Sequence, residues 1–346
     1  MLHHAFINGL ADFPENELIA PREPSIAVIG CGYWGKNIVR NFANIGALRM
    51  VSDANPESAK AMANQYRVPA ASLDDIIADA DVRGVAIAAP AAQHAELSAR
   101  CLRAGKHVFV EKPVALVMKE ASQLVDLAET HGKLLMVGHL LNYHPGFLKV
   151  CDLTKRGAIG TPYRICANRL SFGKVRTEEN VLWSFAPHDI SMILRLAGGI
   201  RPALVDAHGG SYVSSGVEDF AIVNLGFETG LTAQVFVSWL HPFKEHKLAV
   251  IGSEGAIVFD DTLPVDRKVS LHKYSVSNKE MQIKTVKSEA EFVPISDEEP
   301  LLNECLAFVS GIEDPALIYT NGHEGLRVLD VLDRAQTSMQ NNKAGY

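Results

Sequence analysis

Three short stretches carry residue types at spacings that can do chemistry. The first is Gly30-Cys31-Gly32-Tyr33-Trp34-Gly35, a GxGxxG pattern that follows the apolar run Ser25–Ile29. The first glycine allows a tight turn, the second lets the backbone approach a pyrophosphate, and the third lets strand and helix pack closely. A helix start there also offers unpaired N–H groups and a positive dipole end. An ordinary glycine-rich turn is the plainer alternative. The second is Asp53, 18 residues beyond Gly35. Its carboxylate can accept both hydroxyls of an adenosine ribose and repel a 2′-phosphate, which selects NAD over NADP. It could instead cap the helix that follows. The third is Glu111-Lys112-Pro113, directly after the apolar run His107–Val110. Lysine titrates at about 10.4 in water, and desolvation beside a cationic ring would lower that value toward the range of a base. A solvated surface lysine is the bland reading of the same residue.

These residues need elements to hold them. The first part of the chain alternates apolar runs with helical periodicity. Strands are expected at Ser25–Ile29, Leu48–Ser52, Gly84–Ala89, His107–Val110 and Leu134–Val137. Helices are expected after Gly35, over Glu57–Tyr66, from Ser72 with Asp75 closing a short capping box, over Ala91–Ala104 and over Met118–His131. This alternation predicts a parallel sheet with right-handed crossovers, buried on both faces. Its carboxyl edge then carries the glycine turn, Asp53 and Lys112.

After about Tyr143 the texture changes. Leu231, Ala233, Val235, Val237 and Trp239 alternate with Thr232, Gln234, Phe236 and Ser238, a period of two that marks a sheet with distinct faces. Further strands are expected at Tyr163–Phe172, Leu204–Tyr212, Phe220–Phe227, Leu248–Ile251 and Val269–Tyr274. One helix, His188–Leu196, is expected between them, begun by Pro187 and stopped by Gly198-Gly199, and two more over Leu301–Ile312 and Glu324–Met339. The fold class is therefore α/β: a doubly wound parallel sheet followed by an α+β domain with a large, mostly antiparallel sheet. Domains are expected at 1–24 (an irregular extension with Pro14, Pro21 and Pro24), 25–143 (NAD-binding) and 144–346 (substrate-binding and oligomerisation), with the C-terminal helix free to return to the first domain.

Composition bounds the partners. Of 346 residues, 47% are hydrophobic and 21% charged, which excludes disorder and collagen. A net charge of −7 leaves no broad basic footprint for nucleic acid. No apolar run reaches the roughly 20 residues of a membrane span, and Met1–Pro24 does not have the form of a signal peptide. The five cysteines form no CxxC pair and read as reduced thiols of a cytoplasmic protein. His3 and His4 read as solvated, and His139 with His144 makes no convincing metal pair, so no metal is expected.

A resemblance adds to this. Val85-Ala86-Ile87-Ala88-Ala89-Pro90, then His94, then Ala104-Gly105-Lys106-His107-Val108-Phe109-Val110-Glu111-Lys112-Pro113, in that order after the glycine motif, resemble the glucose–fructose oxidoreductase/inositol dehydrogenase/MocA family of NAD(P)-dependent sugar dehydrogenases. The likeness runs over nearly the whole chain from Ser25. It implies a Rossmann domain, a C-terminal domain with an open mixed sheet, and a catalytic Lys112 beside nicotinamide and substrate. It also implies a cis bond before Pro113, a Pro90–His94 turn lining the nicotinamide side, and a substrate cleft between domains. The family's aspartate and histidine, four residues apart, fall on Ser184 and His188 of Leu182–Asp189. The serine is a departure that breaks a Lys–Asp–His set. Asp189 follows directly, but successive helix residues do not face each other.

Within the family, Gly138–Pro145, Asn168-Arg169-Leu170, Gly173–Thr177 and Ser238–Lys244 resemble enzymes that oxidise the C3 hydroxyl of UDP-N-acetylglucosamine or its uronate. That implies His139, Tyr143, Arg169, Arg176 and Ser184 as substrate contacts, in addition to Lys112 and His188. Arg169, Lys174 and Arg176 could meet a diphosphate, or form a solvated basic edge balanced by Glu178 and Glu179. Tyr143 and Trp239 could stack on a ring or simply pack. A free-sugar or inositol dehydrogenase and a non-catalytic NAD-binding sugar sensor are the alternatives. Relatives lead one to expect a homodimer or homotetramer built through the second sheet, for which the apolar face of Leu231–Trp239 is a candidate, though it could equally cover the core.

Overall fold

The computed structural model describes residues 23–343 except 174, 178, 280 and 281. Nearly all of the N-terminal extension, including His3 and His4, and also Lys174 and Glu178, lie outside the described residues. The chain divides into two compact units.

The first unit runs to Tyr143 and takes in Glu298–Leu329. Its five parallel strands are β1 (Ile26–Ile29), β2 (Leu48–Ser52), β3 (Gly84–Ile87), β4 (His107–Glu111) and β5 (Leu135–Gly138), in the order β2-β1-β3-β4-β5. The crossovers carry α1 (Gly35–Asn44), α2 (Pro56–Tyr66), α3 (Leu73–Ala78), α4 (Ala91–Arg103) and α5 (Met118–Thr130). Short apolar strands suit a sheet covered on both faces, and β1 and β3 are buried at every residue. The capping box at Ser72 and Asp75 forms in full. Helix α8 (Pro300–Glu313) completes the core: Phe308 lies 6.2 Å from Phe42 and 5.7 Å from Phe109, ring centre to ring centre.

The second unit takes in His144–Asp297 and the chain from Asp330. The last helix, α9 (Gly322–Lys343), therefore starts in one unit and finishes in the other. The second sheet has β6 (Pro162–Phe172), β7 (Leu204–Gly210), β8 (Phe220–Gly226), β9 (Thr232–Ser238), β10 (Leu240–Gly252), β11 (Gly255–Asp260), β12 (Val269–Lys279), β13 (Gln282–Lys287) and the short β14 (Glu291–Phe292). Its order is β13-β12-β11-β10-β6-β9-β8-β7, with β14 beside β12, and only β6 with β9 is parallel. Helices α6 (Pro145–Lys155) and α7 (Val181–Leu196) pack on it.

Several expectations are corrected. The β10 strand is far longer than Leu248–Ile251, and both β11 and α6 were absent from the expected elements. The helix expected to start at His188 starts at Val181, where Asn180 accepts the Trp183 N–H and serves as the cap. Pro187 lies inside α7 and has no N–H to give the carbonyl four residues back. The apolar face of β9 belongs to the core: Ala233, Val235, Val237 and Trp239 are buried. No helix among the described residues is long and apolar enough to cross a membrane.

Candidate active site

All five strands of the first sheet run parallel, so their carboxyl ends share one edge. The glycine turn leaves β1 there. Gly30 has φ +97°, and a Cβ on it would stand 2.5 Å from the Ala88 carbonyl oxygen. At Gly35 a Cβ would come within 1.9 Å of the Gly30 oxygen, so only glycine lets α1 start so close to the turn. A Cβ at Gly32 would meet nothing within 4 Å, which leaves open space over an exposed backbone. These residues fit a dinucleotide: a bare, outward backbone at a helix N-terminus, shaped by two glycines that admit no side chain. Tyr33 is exposed, with the Lys36 ammonium 5.4 Å from its ring centre.

Asp53 follows β2. Its Oδ2 accepts the Cys31 N–H at 2.6 Å and its Oδ1 accepts the Asn55 N–H at 2.7 Å. The cap of α2 is Asn55, which accepts from Glu57 N–H, so Asp53 is not the cap. Cys31 is buried, and burial with the nearby Asp53 charge pushes its thiol up to about 11. It stays a thiol and is no nucleophile.

After β3 the chain passes Pro90 into α4, where His94 is buried. Its Nδ1 lies 2.7 Å from the Pro113 carbonyl oxygen and its Nε2 lies 2.8 Å from that of Ala89. Burial lowers its pKa, although both carbonyls pull the other way. The ring ties the turn after β3 to the turn after β4; it is a brace for these turns, with both nitrogens engaged by protein. The Lys112–Pro113 bond is cis, as the family resemblance implies. Lys112 and Glu111 are half-buried at the end of β4. Glu111 accepts from the Trp34 indole N–H and from the Lys112 backbone N–H.

Other proposed substrate contacts have internal partners. His139 is buried, its Nδ1 2.7 Å from Glu324 Oε2. Tyr143 is wholly buried, its hydroxyl 2.7 Å from that of Thr320, so it presents no ring face for stacking. Trp239 is buried as well.

In the second unit, Ser184 and His188 stand four residues apart on α7, hence on one face. Ser184 is buried and His188 half-buried. Asp189 points elsewhere and is paired with Arg169 of β6, at 2.7 Å (Nε to Oδ2) and 3.0 Å (Nη2 to Oδ1). Both are buried, so the Arg169 fork is filled by a carboxylate of its own unit and does not serve as an open diphosphate clamp. Partners 20 residues apart leave no local spacing signal for this pair in the sequence. Arg176 is exposed and bonds Glu179 at 2.6 Å. Among the described residues no group of three or more His, Cys, Asp or Glu side chains is placed to hold a metal ion.

Comparison with known proteins agrees with this geometry. Residues 25–139 match the model of an oxidoreductase family with an NAD-binding Rossmann fold, and residues 147–258 match a GFO/IDH/MocA C-terminal domain. The chain is 26% identical over 327 residues to the oxidoreductase YrbE of Bacillus subtilis, covering 90% of this chain and 93% of that one. It is 25% identical over 325 residues to an inositol 2-dehydrogenase of Rhizobium meliloti, covering 90% and 96%. It is 30% identical over 213 residues to the UDP-N-acetylglucosamine 3-dehydrogenase of Acidithiobacillus ferrooxidans, covering 61% and 66%. The solved structure of that enzyme superposes with a TM-score of 0.79 at 24% identity, over 93% of this chain and 99% of the other. With both domain models matched in order, and a glycine turn, acid and Glu-Lys-Pro turn on one sheet edge, the chain belongs to the GFO/IDH/MocA family of oxidoreductases and carries its NAD-binding Rossmann domain.

Proposed function

We propose that the chain oxidises a ring hydroxyl, at C3, of a UDP-linked amino sugar such as UDP-N-acetylglucosamine, giving a 3-keto sugar for lipopolysaccharide, lipid A or cell-surface polysaccharide synthesis. The observation that carries the sugar assignment is the 30% identity to an enzyme of that activity. NAD, when bound, supplies the hydride acceptor. The backbone of Gly30–Gly35 holds the pyrophosphate and Asp53 the adenosine ribose, with Pro90 toward the nicotinamide end. Lys112 receives the carbinol proton or steadies the developing oxyanion, and His188 is the second candidate for the proton. Ser184 contacts the sugar from the same helix face as His188, and the exposed Arg176 is the cation for the diphosphate. We place this activity in the cytoplasm, in a homodimer or homotetramer.

A second reading is an inositol or free-sugar dehydrogenase, favoured by the Rhizobium meliloti relative, which matches along 96% of its length. The test is the growth of NADH absorbance with NAD and either UDP-N-acetylglucosamine, myo-inositol or glucose. Turnover on the nucleotide sugar is expected to exceed the others in kcat/KM by more than about 100-fold, since a site built to hydrogen-bond one substrate rejects analogues that leave its polar groups unpaired. Faster turnover of myo-inositol would overturn the assignment.

Asp53→Ser is expected to weaken NADH binding by about tenfold and to bring NADPH within reach, because a charge-assisted acceptor is lost and a like charge is removed. Fluorescence titration with both dinucleotides checks it, and an unchanged ratio of the two affinities would count against the ribose role.

A further inference from the structure

Trp34 occupies the cap position of α1 yet makes no side-chain capping bond, and its large ring is partly exposed. A tryptophan there has no intrinsic advantage for starting a helix, since small polar residues are preferred. Its indole is turned to another use. Nε1 donates to Glu111 Oε1 at 2.5 Å, joining residues 77 positions apart. One residue stands on the turn after β1 and the other at the end of β4. The strand between them is β3, so the bond spans the carboxyl end of β3.

The same carboxylate reaches the lysine turn. Glu111 Oε2 accepts the Lys112 N–H at 3.2 Å. On the other side stands Gly138 of β5, where a Cβ would lie 3.0 Å from Oε2, so the carboxylate is held against bare backbone. The charged groups facing it are Lys112 and His139, which favour its ionised form, and Glu304 of α8, which lies near enough to repel it. Burial also opposes ionisation, and the indole and amide N–H groups act against burial. Glu111 is thus held by the glycine turn through Trp34 and by the lysine turn through its own main chain.

We propose that Trp34 is a positioning residue, which through Glu111 couples the dinucleotide-binding turn to the backbone of Lys112, so that a dinucleotide on the first turn orders the second. The consequence concerns cofactor binding alone and stands whichever sugar is the substrate. Trp34→Phe keeps an aromatic ring and removes the N–H; Glu111→Gln keeps the shape and removes the charge.

The experiment measures NADH affinity by fluorescence and amide hydrogen exchange at residues 111–115 with and without NADH, on the wild type, both single variants and the double variant. Each single variant is expected to bind NADH about tenfold more weakly, the scale of one hydrogen bond to a charged group. The double variant should be no weaker than the weaker single one, since both act on the same bond, Trp34→Phe by removing its donor and Glu111→Gln by removing the charge of its acceptor. In the wild type NADH should slow exchange at 111–115; in Trp34→Phe that slowing should be lost while slowing at residues 30–36 persists. Equal slowing at 111–115 in Trp34→Phe and wild type would overturn the proposal, as would additive losses in the double variant. If Glu111→Gln fails to fold, the exchange result on Trp34→Phe decides alone.

Discussion

Lys112→Met abolishes most turnover while the protein still binds NADH. The expected fall in kcat is about 10²–10⁴-fold, the range supplied by one positioned proton-transfer or charge-stabilising group. Methionine keeps the apolar stem and removes the ammonium, so packing beside β4 is retained. The backbone bond from Lys112 N–H to Glu111 survives, because it does not involve the side chain. NADH affinity should therefore change by less than about threefold, since in the proposed function the glycine turn and Asp53 hold the cofactor. Steady-state kinetics with the sugar that supports turnover, together with an NADH titration, separates the two effects. A variant that kept a tenth or more of its kcat would remove Lys112 from the chemistry.

A second large effect concerns stability. Glu304 on α8 is wholly buried, and among the described residues neither carboxyl oxygen has a hydrogen-bond partner. Burial, and then the charge of Glu111, push its pKa well above the usual carboxylate range. The native state therefore binds this proton more tightly than the unfolded chain does. Below the unfolded value of about 4.3 the group carries no penalty; as pH rises above it stability falls, by about 1.4 kcal/mol per pH unit, until the native value is passed. Glutamine has the same size and cannot ionise. Glu304→Gln should thus gain about 1–4 kcal/mol at pH 8, from the roughly 1.4 kcal/mol per pH unit that glutamine does not lose, and less than about 1 kcal/mol at pH 5. Urea unfolding of both proteins at the two pH values tests this. A gain that does not grow with pH would show that Glu304 is not the titrating group.

What could be read from the residue string was local. The parallel sheet followed from apolar runs alternating with helical periods, and the glycine turn from three spacings beside one such run. The Ser72 and Asp75 box lay within four residues. Errors arose where one residue type serves two ends. Pro187 suits a helix start, yet Asn180 had already begun that helix, and Pro187 lies within it. Tyr143 and Trp239 have faces fit for stacking, and only tertiary packing shows that both are buried. The pairs Trp34 with Glu111, Arg169 with Asp189 and His139 with Glu324 join residues 77, 20 and 185 positions apart. No periodicity encodes such partners. Glu304 was hidden for the related reason that an acid in an apolar helix looks the same whether it faces water or the interior.

The return of residues 298–329 to the first unit has a consequence for biosynthesis. Phe42 and Phe109 leave the ribosome long before Phe308, the aromatic that packs on both. Until α8 emerges, the sheet of the nucleotide-binding half has one side only partly covered, by α1, while more than 150 further residues are translated. Vectorial synthesis thus leaves the N-terminal half waiting on a segment made long after it, and a natural client for a holdase during that interval.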